Sequence, residues 1–354
     1  MEDIWKKTYE SGKSLFRDSL TTPPHSSNDV LGAATATQEG FVVVRTLTAQ
    51  SDATNAQSSG NVQICAVPSD SGHATASIIS DMIAKHMLNT EQAQAFRLVA
   101  EHAEKDQAES FTMFLGGAGG TGKSRVITAL SDFFASRNEK RRLRLAAYTG
   151  IAAAGIRGIT LHTALNLNQL KRMLESNGNC SRKQLVAAWD GVDYLFIDEV
   201  SMVGCELLYD ISNALSLAKG SSLPFGGVNV IFAGDFLQLP PVGSTPLYSA
   251  PESLISKPND SLTEDGQKKL KGLTLWQGLN HVVLLTQSMR QSGPENELFR
   301  QLLAKSRFGN TTNEQIDLLE TRVLGKAAVD LSDPTWATAP IITRSNAVKD
   351  ALNI

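Results

Sequence analysis

The sequence predicts an α/β fold, a parallel sheet with helices on both faces, on three observations. Short apolar runs alternate with helical segments, with strands expected near 111–115, 143–148, 193–197, 228–233 and 281–286. Such alternation needs crossover connections, and these make neighbouring strands parallel. The glycine-rich stretch Gly117-Ala118-Gly119-Gly120-Thr121-Gly122-Lys123-Ser124 directly follows the run Phe111-Thr112-Met113-Phe114-Leu115. A third apolar run, Tyr194-Leu195-Phe196-Ile197, ends in the acids Asp198 and Glu199. Open parallel sheets bind ligands outside the carboxyl ends of their strands, where the loop and the acid pair both fall.

Residues 1–75 read as a mostly disordered polar leader, rich in Ser, Thr, Ala, Asn, Gly and Gln, with one short strand at Phe41-Val42-Val43-Val44. Such a composition buries too little apolar surface to offset the entropy of ordering. Compact structure is expected from Ala76, with helices at 77–87 and 91–104, the second capped by Thr90. Residues 76–280 form the first α/β domain in this reading. The amphipathic positions Val126, Ile127, Leu130, Phe133 and Phe134 predict a helix after the glycine loop. The prolines Pro246, Pro251 and Pro258 mark Gly243 to Lys271 as a surface excursion. Residues 281–354 read as the start of a second α/β unit, with helices at 294–307 and 312–323, a strand at 339–343 and a helix begun by Ser345.

The 354 residues carry a net charge of −3, with 42% hydrophobic content, so contact with nucleic acid has to come from local groups. The densest basic cluster, Arg137, Lys140, Arg141, Arg142 and Arg144, precedes a strand and is expected to be its solvated entry. Cys65, Cys180 and Cys205 lack the spacing of a disulfide framework or zinc site, which fits a reducing compartment. The N-terminus has no secretory apolar core, and no run approaches the ~18 apolar residues of a membrane span. Secretion and membrane partners are therefore not expected. The remaining compartments are nucleus or mitochondrion in a eukaryote, and cytoplasm otherwise.

The pattern G-x-x-x-x-G-K-S has a specific physical reading. Glycines let successive N–H groups point at phosphate oxygens, and a helix opening at Lys123 adds the positive end of its dipole. Lys123 would reach the β and γ phosphates of ATP, and Ser124 would bind Mg2+. Asp198, about 75 residues later, suits the metal, and Glu199 suits orientation or deprotonation of water. The run Val230-Ile231-Phe232-Ala233 leads into Gly234-Asp235-Phe236-Leu237-Gln238-Leu239-Pro240-Pro241, where the Gln238 amide could hydrogen-bond a γ-phosphate or its attacking water. Trp276 is expected to fill a core.

Seven motifs in order over residues 88–291 carry a resemblance: Leu88-Asn89-Thr90-Glu91-Gln92, the loop 117–124, Thr149-Gly150-Ile151-Ala152-Ala153, Gly158-Ile159-Thr160-Leu161-His162-Thr163, Asp198-Glu199-Val200-Ser201-Met202, 234–242, and Leu285-Thr286-Gln287-Ser288-Met289-Arg290-Gln291. The chain resembles the PIF-type helicases, superfamily 1 motors related to RecD, and more weakly the helicases of Helitron transposons. The resemblance implies two RecA-like P-loop NTPase domains, ATP and magnesium, and 5′-to-3′ unwinding of DNA, with single-stranded DNA and forks as partners. The biological setting it implies is repair, recombination or telomere and genome maintenance. It implies adenine recognition by Gln92, phosphate and metal roles for Lys123, Ser124 and Asp198, catalysis by Glu199, γ-phosphate contacts from Gln238 and Arg290, and DNA contacts from Thr149 and His162.

Relatives continue past the equivalent of Ile354 with a further DNA-contacting motif and a final arginine. The chain is therefore expected to be C-terminally truncated, binding Mg-ATP but hydrolysing it poorly, since loss of such an arginine costs about 10³ to 10⁵ in rate. The competing readings are a helicase-derived fragment that binds ATP and DNA without unwinding, and a P-loop ATPase that remodels protein. The last leaves Thr149 and His162 unexplained, and protein partners stay unassigned.

Overall fold

The computed structural model describes residues 73–105, 109–167, 179–249, 263–291, 293–323, 334 and 340–352. The expected leader lies outside these up to residue 72, its strand at Phe41 to Val44 included. Six strands, β1 (Thr112–Gly117), β2 (Leu143–Ala147), β3 (Ile159–Thr160), β4 (Tyr194–Asp198), β5 (Asn229–Gly234) and β6 (His281–Leu285), form one sheet in the order β3-β2-β4-β5-β1-β6. Every pairing is parallel. All six carboxyl ends therefore share one rim, as the alternation requires.

Period-two alternation fills both faces. On β4, Tyr194 and Phe196 join one apolar cluster while Leu195 and Ile197 join the other, and β5 divides Ile231 and Ala233 from Val230 and Phe232 in the same way. Helices α1 (His73–Lys85), α2 (Thr90–Glu104), α3 (Lys123–Ser136) and α4 (Gly150–Gly155) contribute to the first cluster through Ile79, Phe96, Phe133 and Ala153. On the opposite face lie α5 (Leu161–Ala164), α6 (Asn179–Trp189), α7 (Cys205–Lys219) and α8 (Glu264–Gln277), which contribute Leu161, Trp189, Leu208 and Leu273. Each Leu, Ile or Phe among them, fully buried, is worth about 1.5–3 kcal/mol. Trp276 packs edge-on against Phe114, Phe232 and Phe236, the core role expected of it.

Four features differ from the sequence reading. The cap of α2 is Asn89 rather than Thr90: the Asn89 side chain accepts from the Gln92 N–H, and the Gln92 side chain accepts from the Asn89 N–H. An oxygen three residues before its N–H partner closes this reciprocal box, and Thr90 has Ala93 at that spacing. Part of the expected excursion, Glu264 to Lys271, is helical in α8, because Thr263 caps the Gly266 N–H and Glu264 and Asp265 meet the helix dipole. Residues 340–343 form no strand. Finally, β6 pairs with β1, so residues 281–290 belong to the first compact unit and the second begins at Gln291.

The second unit has its own small framework. After the turn Pro294–Asn296 come α9 (Glu297–Ser306), α10 (Asn313–Glu320) and α11 (Asn346–Leu352). Arg300 ties the entry by donating to the carbonyls of Gln291 at 2.6 Å and Gly293 at 2.8 Å, and a capping box between Thr312 and Gln315 starts α10.

Candidate active site

The loop after β1 curls as its composition predicts. Gly120 and Gly122 have φ of 87° and 90°, a region that side chains disfavour. Thr121 closes the turn by donating its N–H and hydroxyl to the Ala118 carbonyl at 3.3 and 2.9 Å. A Cβ on Gly117 would lie 2.6 Å from the Thr121 hydroxyl, whereas one on Gly119 would meet nothing within 4 Å. The loop is therefore packed at its base and open at its crest. Lys123 starts α3 and folds its ammonium back onto the carbonyls of Gly117, at 2.6 Å, and Ala118, at 3.2 Å, while Ser124 is exposed beside it.

Acids from two other strand ends reach the same rim. Asp198 ends β4 and accepts the Glu199 N–H at 2.9 Å; burial raises its pKa, partly countered by that hydrogen bond and by Lys123. Glu199 takes left-handed backbone angles, φ 57° and ψ 44°, which a non-glycine residue holds only when its surroundings impose them. Its pKa is also raised, first by burial and then by the charges of Asp198 and Asp235, with Lys123 opposing. The shared influence of Lys123 places the loop lysine and both acids in one electrostatic neighbourhood. The β5 strand, lying between β1 and β4, brings in Asp235, only 5% exposed. Asp235 accepts from the Leu237 N–H at 3.1 Å and the Gln238 side-chain amide at 3.3 Å. Gln238 is thereby tethered at the rim with its amide oxygen facing away from that bond.

Gln92 is fully buried beneath the loop. Besides accepting from Asn89, its amide donates to the Thr121 carbonyl at 2.9 Å, so it joins the cap of α2 to the phosphate loop. Arg290 is exposed just beyond β6, one residue after Met289, whose N–H donates to the Gly120 carbonyl at 2.8 Å. Two residues stand on neighbouring elements of the rim: Thr149 caps α4 by accepting from the Ala152 N–H at 3.2 Å, and His162 on α5 is exposed, edge-on to Tyr148. They follow β2, which lies next to β4, and β3, the outer strand beyond it.

Sequence reasoning named the loop, the acid pair and Gln238, set Asp235 beside it at the same strand end without a role, and passed over Glu91 as a site residue. An acid three residues before an amide at an apolar strand end is a local signal. Glu91 had no such signal. The donor set suits magnesium, a hard cation that prefers oxygen ligands, because Ser124 and Asp198 supply oxygens and burial raises the acids despite Lys123. Among the described residues there is no group of three or more His, Cys, Asp or Glu that could hold a metal ion.

A family model described as PIF1-like helicase matches residues 87–316. The ATP-dependent DNA helicase PIF1 of Emericella nidulans is 28% identical over 273 residues, which cover 74% of this chain and 33% of that protein. The helicase of the same name from Saccharomyces cerevisiae strain YJM789 is 30% identical over 205 residues, 57% of this chain and 22% of that protein. A crystal structure of the Pif1 helicase from Candida albicans matches with a TM-score of 0.54 at 24% identity, covering 75% of this chain and 53% of that one, a likeness of fold. The chain thus spans about a third of the Emericella protein.

Proposed function

The chain belongs to the PIF1-like helicase family, and from that premise we propose that it is the ATP-driven part of a DNA helicase. The observation that carries this reading is the meeting of the phosphate loop, two raised acids and a tethered glutamine at one rim of one sheet. In this reading ATP lies along the loop 117–122, with backbone N–H groups and Lys123 on its phosphates. Lys123 leaves its own loop carbonyls for the incoming anion, a charge-assisted exchange that favours the bound state. Ser124 and Asp198 would hold magnesium, which when bound neutralises β- and γ-phosphate charge.

The residues then divide the chemistry. Glu199, its pKa raised by burial and by its acid neighbours, takes a proton from water more readily than an ordinary carboxylate. Gln238, tethered by Asp235, offers its amide oxygen to that water or reports the γ-phosphate. Arg290 stabilises charge on the transferring phosphoryl group. Gln92 keeps one N–H and one lone pair for an adenine edge. Thr149 retains a hydroxyl proton for a DNA phosphate, and His162 an exposed ring for stacking on single-stranded DNA. Unwinding in the 5′-to-3′ direction, at forks met in repair, recombination or telomere maintenance, completes the reading. The site of action is the nucleus or mitochondrion of a eukaryotic cell, or otherwise the cytoplasm. No described helix is long and apolar enough to cross a membrane.

The test is DNA-stimulated ATP turnover, with strand separation on duplexes carrying a 5′ or a 3′ single-stranded tail. Stimulation by single strands and opening of the 5′-tailed duplex are expected. Binding of ATP and DNA without unwinding would favour a helicase-derived binding module, and failure to bind Mg-ATP would end the proposal.

A further inference from the structure

We infer that Glu91 is a positioning residue that sets Arg290 against the phosphate loop, an inference that rests on the nucleotide reading above. Glu91 is the second residue of α2, where an acid ordinarily serves the helix dipole from the surface. Here it is only 5% exposed, and its carboxylate grips a segment 195 residues away. One oxygen accepts from the Thr286 N–H at 2.7 Å and the Gln287 N–H at 3.4 Å, and the other accepts from the Thr286 hydroxyl.

The grip answers a specific need. The β6 strand is the outer strand beside β1, and its last pairing is Leu285 with Gly117. The next N–H groups, on Thr286 and Gln287, have run out of strand, and the Glu91 carboxylate takes the place of the missing neighbour. Asn89 adds a side-chain bond to the Gln287 amide oxygen at 2.9 Å. At the far end, the Met289 N–H donates to the Gly120 carbonyl at 2.8 Å. The segment 286–289 is therefore held at both ends, by an acid on α2 and by the phosphate loop itself, immediately before Arg290. With the Glu91 end released, the Met289 backbone bond and the Asn89 side chain, through Gln287 at 2.9 Å and the Met289 sulfur at 3.7 Å, would be left to fix where the guanidinium starts.

In the reading above Arg290 meets the γ-phosphate, which ADP lacks, so the defect should distinguish nucleotides. Affinities for AMP-PNP and ADP with magnesium would be measured for wild type, Glu91→Ala, Thr286→Val, Arg290→Ala and the Glu91→Ala/Arg290→Ala pair, with amide exchange followed over 281–290. For Glu91→Ala we expect faster exchange at 286–289 with 281–285 still protected. Its AMP-PNP affinity should fall about tenfold, the loss of one charge-assisted contact, while ADP affinity holds within about twofold. Thr286→Val, which removes one of the three bonds, should show a weaker form of the same selectivity. In the Arg290→Ala background, Glu91→Ala should add nothing. Equal loss of both nucleotides, an additive double variant or unchanged exchange would overturn the inference. If Lys123→Ala abolishes binding while every Glu91 variant behaves as wild type, only the role of Glu91 falls; if Lys123→Ala changes nothing, the nucleotide reading falls with it.

Discussion

At the rim where strands begin, Arg142 donates to Asp193 at 2.6 Å and Glu139 at 2.8 Å, and Arg137 binds both Glu139 and Glu104. At the rim where strands end, Asp198, Glu199 and Asp235 gather around the phosphate loop. The same sheet thus carries two charge clusters of opposite design. Burial alone would raise the Glu139 carboxyl, but the hydrogen bonds and charges of Arg137 and Arg142 outweigh it and leave the pKa lowered. Burial raises Asp198 and Glu199, and Lys123 does not compensate. Carboxylates held down by guanidinium partners stabilise the fold, whereas carboxylates raised by burial at a strand-end rim are the kind that functional sites collect. Of the basic cluster expected as a solvated strand entry, Lys140 and Arg141 are exposed, while Arg137 and Arg142 form the cationic half of the matched rim.

The comparison breaks most sharply at Glu199. Glu199→Gln should lower single-turnover ATP hydrolysis by about 10² to 10⁴ while ATP stays bound, and normal turnover would remove it from the base role. Next comes Lys123→Ala, which should weaken Mg-ATP affinity about 10- to 100-fold, read by calorimetric titration. The matched rim should respond in stability instead. Arg142→Ala leaves Asp193 and Glu139 short of a cation and should cost about 1–2 kcal/mol in denaturant unfolding, with ATP affinity unchanged.

Asp198→Asn should do the reverse, raising Tm by about 2–4 °C at neutral pH without nucleotide, while ending turnover. The sign follows from linkage. A raised folded pKa means that the native state holds its proton more tightly than the unfolded chain, so stability falls as pH rises from the ordinary carboxylate value to the folded one. For Glu139, with a lowered pKa, stability is present above the ordinary value and lost as pH falls through the folded one. Smallest of all, Arg141→Ala should change unfolding by less than about 0.5 kcal/mol, because its pair with Asp190 is exposed.

Local chemistry was enough to read the parallel α/β sheet, the curl of the glycine loop, the acids at the end of β4 and the core role of Trp276. Glycine at positive φ, apolar alternation and a strand ending in acids all act within a few residues, so the order of side chains carries them. The N-cap was also legible, through Asn89 and Gln92 at capping-box spacing, but Thr90 beside them is itself a capping residue type and drew the boundary one residue on. The two-residue strand β3 is too short for any periodicity to show. Only the folded chain could assign β6 to the first sheet, pair Arg142 with Asp193 and bury Glu91 against Thr286. These contacts join residues some 50 to 200 positions apart, and their energy depends on desolvation and on which groups meet, quantities that no stretch of sequence contains until the layers close.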